Sequence, residues 1–188
     1  MKKFVAAIFG VLSFTLILCA CSWKANNKTR NYVAMSTDEL AKLSDDELYK
    51  AVIARAERTV ESKTDLKTGI NSLNSPQKIV FSLDWFMMEE DNGGLFQFFV
   101  NSSRMVAPFI SDYMGAVGAE EHKKLFDDFI LKNNIDLSDL SFFDINSDEE
   151  YAKKAESYPL DEFDDALYEL KPLDTYLKEY IRENIEDF

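Results

Sequence analysis

Histidine is almost missing from this chain of 188 residues, which has one, and its two cysteines both fall within the first 21 positions. That scarcity excludes a disulfide framework, a Cys/His zinc centre and Cys–His nucleophilic catalysis over most of the length. Bases are also short: 21 Lys and Arg stand against 34 Asp and Glu, for a net charge of −13. A chain so anionic repels nucleic acid and phospholipid headgroups. Six Gly and four Pro are too few for a turn-rich β architecture. No G-x-S-x-G elbow, P-loop or H-E-x-x-H occurs. The single histidine, His122, sits in Glu-Glu-His-Lys-Lys and reads as an exposed helix residue rather than a base. Asp144-Ile-Asn146-Ser-Asp148 starts like a calcium loop, but Glu149 occupies its glycine position and Ala155 the place of the bidentate glutamate. No catalytic residue, metal ligand or cofactor is therefore assigned, and the chain reads as non-enzymatic.

What is present is apolar material, 46% hydrophobic with 15 Phe, enough for one domain with a real core. Its periodicity is helical. Ser36-x-x-Glu39, Ser44-x-x-Glu47 and Ser147-x-x-Glu150 have capping-box form, and Leu48, Val52, Ile53, Ala56 and Val60 share one face. Ser75-Pro76 reads as a cap before a first-turn proline, opening a helix that Asn92-Gly93-Gly94 ends. Further helices are expected over about 105–117, 120–132 and 161–170, with a last one after Pro172. The expectation is an all-α fold: a single compact domain of about six to eight helices over residues 37–188.

The N-terminus has a different character. Lys2 and Lys3 precede an apolar run from Phe4 to Leu18, too short for a stable membrane span, and Leu18-Cys19-Ala20-Cys21 resembles the lipobox of bacterial prolipoproteins. The resemblance implies a signal peptide over 1–20 and lipid on Cys21. Small Ala20 also suits an ordinary secreted protein cleaved nearby. Loss of 1–20 removes two lysines and no acid, leaving 168 residues at −15 and no free thiol. Residues 21–36 carry Lys24, Lys28 and Arg30 and no acid, and read as a tether. It either draws toward an anionic bilayer or serves as a plain spacer. The implied place is the cell envelope, periplasm-facing; Ser22, not aspartate, at the next position favours the outer membrane.

Two stretches are candidates for recognition. Asp161, Asp165 and Glu169 recur every four residues opposite Phe163, Leu167 and Leu170, with Glu162 and Asp164 beside them; residues 136–188 hold 17 acids against five bases. Steps of about 6 Å along a helix are sparser than the ~3.4 Å charge spacing of one DNA strand, so other acids such as Asp174, Glu179, Glu183, Glu186 and Asp187 must contribute to any phosphate-like array. The bland alternative is a solvated face. In the loop Asn92, Gly93 and Gly94, the glycines permit a sharp turn, Phe96, Phe98 and Phe99 are core candidates, and Gln97 and Asn101 are placed to bond the exposed backbone ends of the turn. The other use of amides beside aromatics is to line a small-ligand groove.

The run Asp91-Asn-Gly-Gly-Leu-Phe-Gln-Phe-Phe-Val-Asn-Ser-Ser103, with Ala116-Val-Gly-Ala119 and the closing run 163–188, resembles a bacterial family of acidic, all-helical domains whose best-known member is a DNA mimic. The resemblance implies acids laid out like phosphates on a surface that occupies a DNA-binding protein. An exported domain meets no transcription factor. The expectation is therefore a non-enzymatic acidic module, anchored in the bilayer through Cys21, that binds a basic protein and no nucleic acid; homodimerisation is left open. The alternatives are an immunity or inhibitor protein against an envelope-targeted toxin, and small-ligand binding at the Asn-Gly-Gly loop.

Overall fold

Leu48, Ala51, Val52, Ala56 and Val60 recur at three- and four-residue steps, and in the computed structural model, which describes residues 32–188, they form the buried face of a helix. The α-helices in chain order are α1 (Thr37–Leu40), α2 (Asp45–Glu61), α3 (Leu66–Asn71), α4 (Ser75–Val100), α5 (Ala107–Ala116), α6 (Glu120–Lys132), α7 (Asp148–Ala155), α8 (Leu160–Tyr168) and α9 (Leu173–Glu183). Among the described residues there are nine and no strand, so the all-α single domain is as expected. The excess over six to eight lies in α1 and α3, of four and six residues. No helix among the described residues is long and apolar enough to cross a membrane.

Caps follow the chemistry of the sequence with three shifts, one of them at α2, where Ser44 accepts the Glu47 N–H but the Glu47 carboxylate takes the Tyr32 hydroxyl instead of its cap. Ser36 and Glu39 close a reciprocal capping box, as predicted. At α4 the cap is Asn74 rather than Ser75: its side chain accepts the Gln77 N–H at 2.8 Å, with Gln77 reaching back. At α7 Ser147 accepts the Glu150 N–H, but the Glu150 carboxylate bonds the Asn146 N–H instead of its cap. Lys154, with the Asn146 N–H, holds its pKa down at about 2.

The centre of the domain is α4, packed against α2, α5, α8 and α9. Its ladder breaks at Gly93 and Gly94, both non-helical, and the chain doubles back. Phe86 and Phe98 would stand about 18 Å apart along a straight helix. Their rings meet edge to face at 5.1 Å. Phe96, Phe98 and Phe99 are buried as predicted, Phe99 stacking on Phe143 at 4.7 Å and Phe96 meeting Tyr151 of α7 at 4.8 Å.

The signal peptide expected over 1–20, the lipid expected on Cys21 and the expected tether as far as residue 31 fall outside the described residues. Residues 32–36, the last of the expected tether, lie among the described residues. Tyr32–Ala34 form a 3-10 turn, and Arg55 on α2 donates to the carbonyls of Tyr32 (2.9 Å), Met35 and Phe188 (2.6 Å). The folded unit thus already includes residues 32–36.

Candidate functional site

Leu160, Phe163 and Leu167 turn one side of α8 inward, where Phe163 meets Phe129 of α6 at 5.0 Å. The opposite side carries Asp161, Glu162, Asp165 and, at the C-cap, Glu169, all exposed. None of these four has an ion-pair partner among the described residues. Other acids are neutralised locally: Asp45 by Arg182 (2.7 Å), Asp46 and Asp174 by Lys178 (2.7 and 2.8 Å), and Glu179 by Lys171 (3.3 Å). Asp174 and Glu179 therefore do not extend a free anionic array. Tyr168 stands at the end of the unpaired stripe, 65% exposed. Desolvation and the negative field of Asp91, Glu90 and Asp164 push its phenol pKa up.

Asp164 does not join the outer stripe. It lies half-buried under it and accepts the Leu95 N–H at 3.1 Å. The backbone of Gly94 (φ 72°, ψ −175°) lies in a region essentially reserved for glycine, and any Cβ there would collide with the Asp164 carboxylate. The acidic helix and the Asn-Gly-Gly loop, which the sequence offers as separate candidates, are thus one structure: the loop is the seat of α8.

Below them sit two consecutive buried acids of opposite character. Glu89 is 5% exposed and accepts from the Gln97 amide (2.9 Å), the Asn101 amide (2.8 Å) and the Ser103 hydroxyl (2.9 Å). This corrects the expectation for Gln97 and Asn101. They do not cap the turn's backbone; they hold Glu89, because the chain reversal brings residues eight and twelve positions onward over it. A small-ligand groove built on these two amides loses its donors. Asn92 is exposed and donates to the Met88 carbonyl at 2.7 Å.

Glu90, also 5% exposed, has no donor in reach of an ionised carboxylate. Burial, together with the charges of Asp164 and Asp91, pushes its pKa up to about 9. It is therefore protonated at neutral pH and can donate to Asp164, whose own pKa burial also raises. The Glu90–Asp164 pair carries one proton and one negative charge. Sequence reasoning missed both buried glutamates. The inward position of Asp164 was available, since 160, 164 and 167 share a helical face.

His122 corrects another expectation. It is buried at 1% exposure, with its ring edge-on to Tyr176 at 5.7 Å and Nδ1 unpartnered. The charged flanks hid its register with Phe126 and Phe129, which places it on the inward face of α6. Burial pushes its pKa down. The arrangement as a whole is an exposed row of carboxylates on α8 above two buried acids.

Residues 71–184 match the family model described as DMP19-like protein, which covers α4 to α9 and with them every element of this site. No curated protein and no solved structure matches the chain.

Proposed function

We propose, from the premise that this chain belongs to the DMP19-like protein family, that it is a membrane-anchored acidic module whose α8 face binds a basic protein partner. The observation that carries this reading is the concentration, on and beside one nine-residue helix, of four exposed acids with no cation partner among the described residues. Unpaired exposed carboxylates are already solvated, so an incoming cation meets attraction without first breaking an internal ion pair. The isolated stripe suits a few basic side chains better than it copies a phosphate backbone, because its steps are wider than the charge spacing of DNA.

Changing Asp161, Asp165 and Glu169 together to Lys is expected to leave the helical circular dichroism intact, because all three are exposed. Partner affinity is expected to fall on the order of 10²-fold at low salt, at up to ~1 kcal/mol per exposed pair plus repulsion. Wild-type capture from an envelope extract is expected to weaken in 1 M salt, where the Debye length is about 3 Å. Capture equal for both proteins would reduce the face to a solvated surface. For the anchor, supported by Leu18–Cys21 in the sequence, Cys21→Ala is expected to give a form that is unprocessed or released on fractionation. A cleaved variant that stays in the membrane after a high-salt wash would remove lipid from the account.

A further inference from the structure

From the arrangement of Tyr168, Asp164 and Glu90 we infer that α8 contains a subsite for one lysine or arginine side chain, seated over Tyr168 and against Asp164, and that its occupation expels the proton of Glu90. The inference deepens the proposed function and rests on it.

Three observations meet here. Tyr168 is a large aromatic at 65% exposure, flanked by Asp165 and Glu169 and within the field of Asp91. An aromatic face surrounded by uncompensated carboxylates is a receptor for a cation, and prefers one carried on an apolar stem. Asp164 is only half-buried, so its carboxylate can meet such a cation while keeping the Leu95 N–H. Behind it Glu90 is 95% buried with no donor to either oxygen, a polar group that the folded chain leaves without a counter-charge. At present a proton supplies that counter-charge. A lysine or arginine nitrogen beside Asp164 replaces it, and the proton passes to the solvent.

The groups that face the pair come from three helices. From α4 they are Glu89, held by its three donors, and Asp91; from α8 they are Asp161, Asp165 and Tyr168; and from α7 Tyr151, near Asp164 and Glu89. The phenols of Tyr151 and Tyr168 are pushed up by burial from an ordinary value near 10. Glu90, buried with neither oxygen partnered, holds the proton that a cation beside Asp164 displaces.

The test uses the intact chain in detergent micelles and an N-acetylated, C-amidated decapeptide of alternating Lys and Ala, which has no group titrating between pH 6 and 8. Calorimetry in two buffers of different ionisation enthalpy counts the protons released. Wild type is expected to release close to one proton, and affinity to tighten toward tenfold per pH unit. Glu90→Gln is expected to bind with no pH dependence, and Tyr168→Ala to bind about threefold to thirtyfold more weakly, the range for a cation–π contact. Binding without proton release overturns the coupling while leaving the acidic face intact as a binding surface. A pH slope in Glu90→Gln equal to that of wild type assigns the proton elsewhere and also overturns it. No binding at low salt overturns this inference and the proposed function together.

Discussion

Gly94→Ala is expected to destabilise the domain by about 3–5 kcal/mol and to lower its melting temperature on the order of 10 °C. The backbone part is a residue at φ 72° and ψ −175°, where an L side chain costs of order 1–3 kcal/mol. The packing part is the Asp164 carboxylate, which occupies the place of the missing Cβ and accepts the Leu95 N–H. Displacing it strands a buried donor, for about 1–3 kcal/mol more. A double-mutant cycle separates the two, because Asp164→Ala clears the space and leaves only the backbone cost of the second substitution. Gly93→Ala is the control. Its φ of −172° is open to any residue, so its cost is confined to displacing the Gln97 side chain, whose amide carbon, oxygen and Cβ a methyl there would crowd. Thermal unfolding of the four variants reads the result; equal losses at 93 and 94 would mean that the turn, and not the seat of α8, sets the cost.

Glu90→Gln is expected to act in the opposite direction and only above acid pH. In the folded chain the Glu90 pKa is about 9, against an ordinary value near 4.5. A group whose folded pKa is raised contributes its full stability below the unfolded value and loses it as pH climbs toward the folded one. Wild-type stability should thus decline between about pH 4.5 and 9 on account of this residue, by roughly 3 kcal/mol at pH 7 at 1.36 kcal/mol per unit. The amide cannot ionise and can still donate to Asp164. The variant should therefore match wild type near pH 4 and melt on the order of 6–12 °C higher near pH 7. Urea titrations across this range measure the difference, and parallel curves for the two proteins would show that Glu90 ionises without penalty.

Periodicity along the chain was sufficient for the helices and insufficient for the charges. Strong stripes and caps placed α2, α6 and α9, because each helix buries one face and its own residues record which. The short α3 was not legible. It has Gly69 in its interior, pressed against the Val60 backbone of α2, and is held by packing that no local pattern encodes. Asn92-Gly93-Gly94 was legible as a turn, but its purpose was not, since Asp164 lies 69 positions from the Leu95 N–H it accepts. The same holds for Glu89 and Glu90. In a Met-Met-Glu-Glu-Asp run both look solvated, and only the reversal at Gly93 and Gly94 decides that one acid receives three donors and its neighbour receives none. Position along a helix gives a side chain its face. Whether a charge on that face is paired, free or neutralised by a proton is decided by other elements.

The Arg55 guanidinium, which bonds the carbonyls of Tyr32, Met35 and Phe188, also sets how the domain bears a load. Asn74 and Gln77 hold the Asp187 carbonyl beside it, at 2.7 and 3.0 Å. The two ends of the folded unit are thereby riveted at one pole. A pull applied at residue 32 would therefore meet this clasp before it reached α4 and its seat for α8. The fold is closed like a buckle, and its acidic face is mechanically downstream of the fastening.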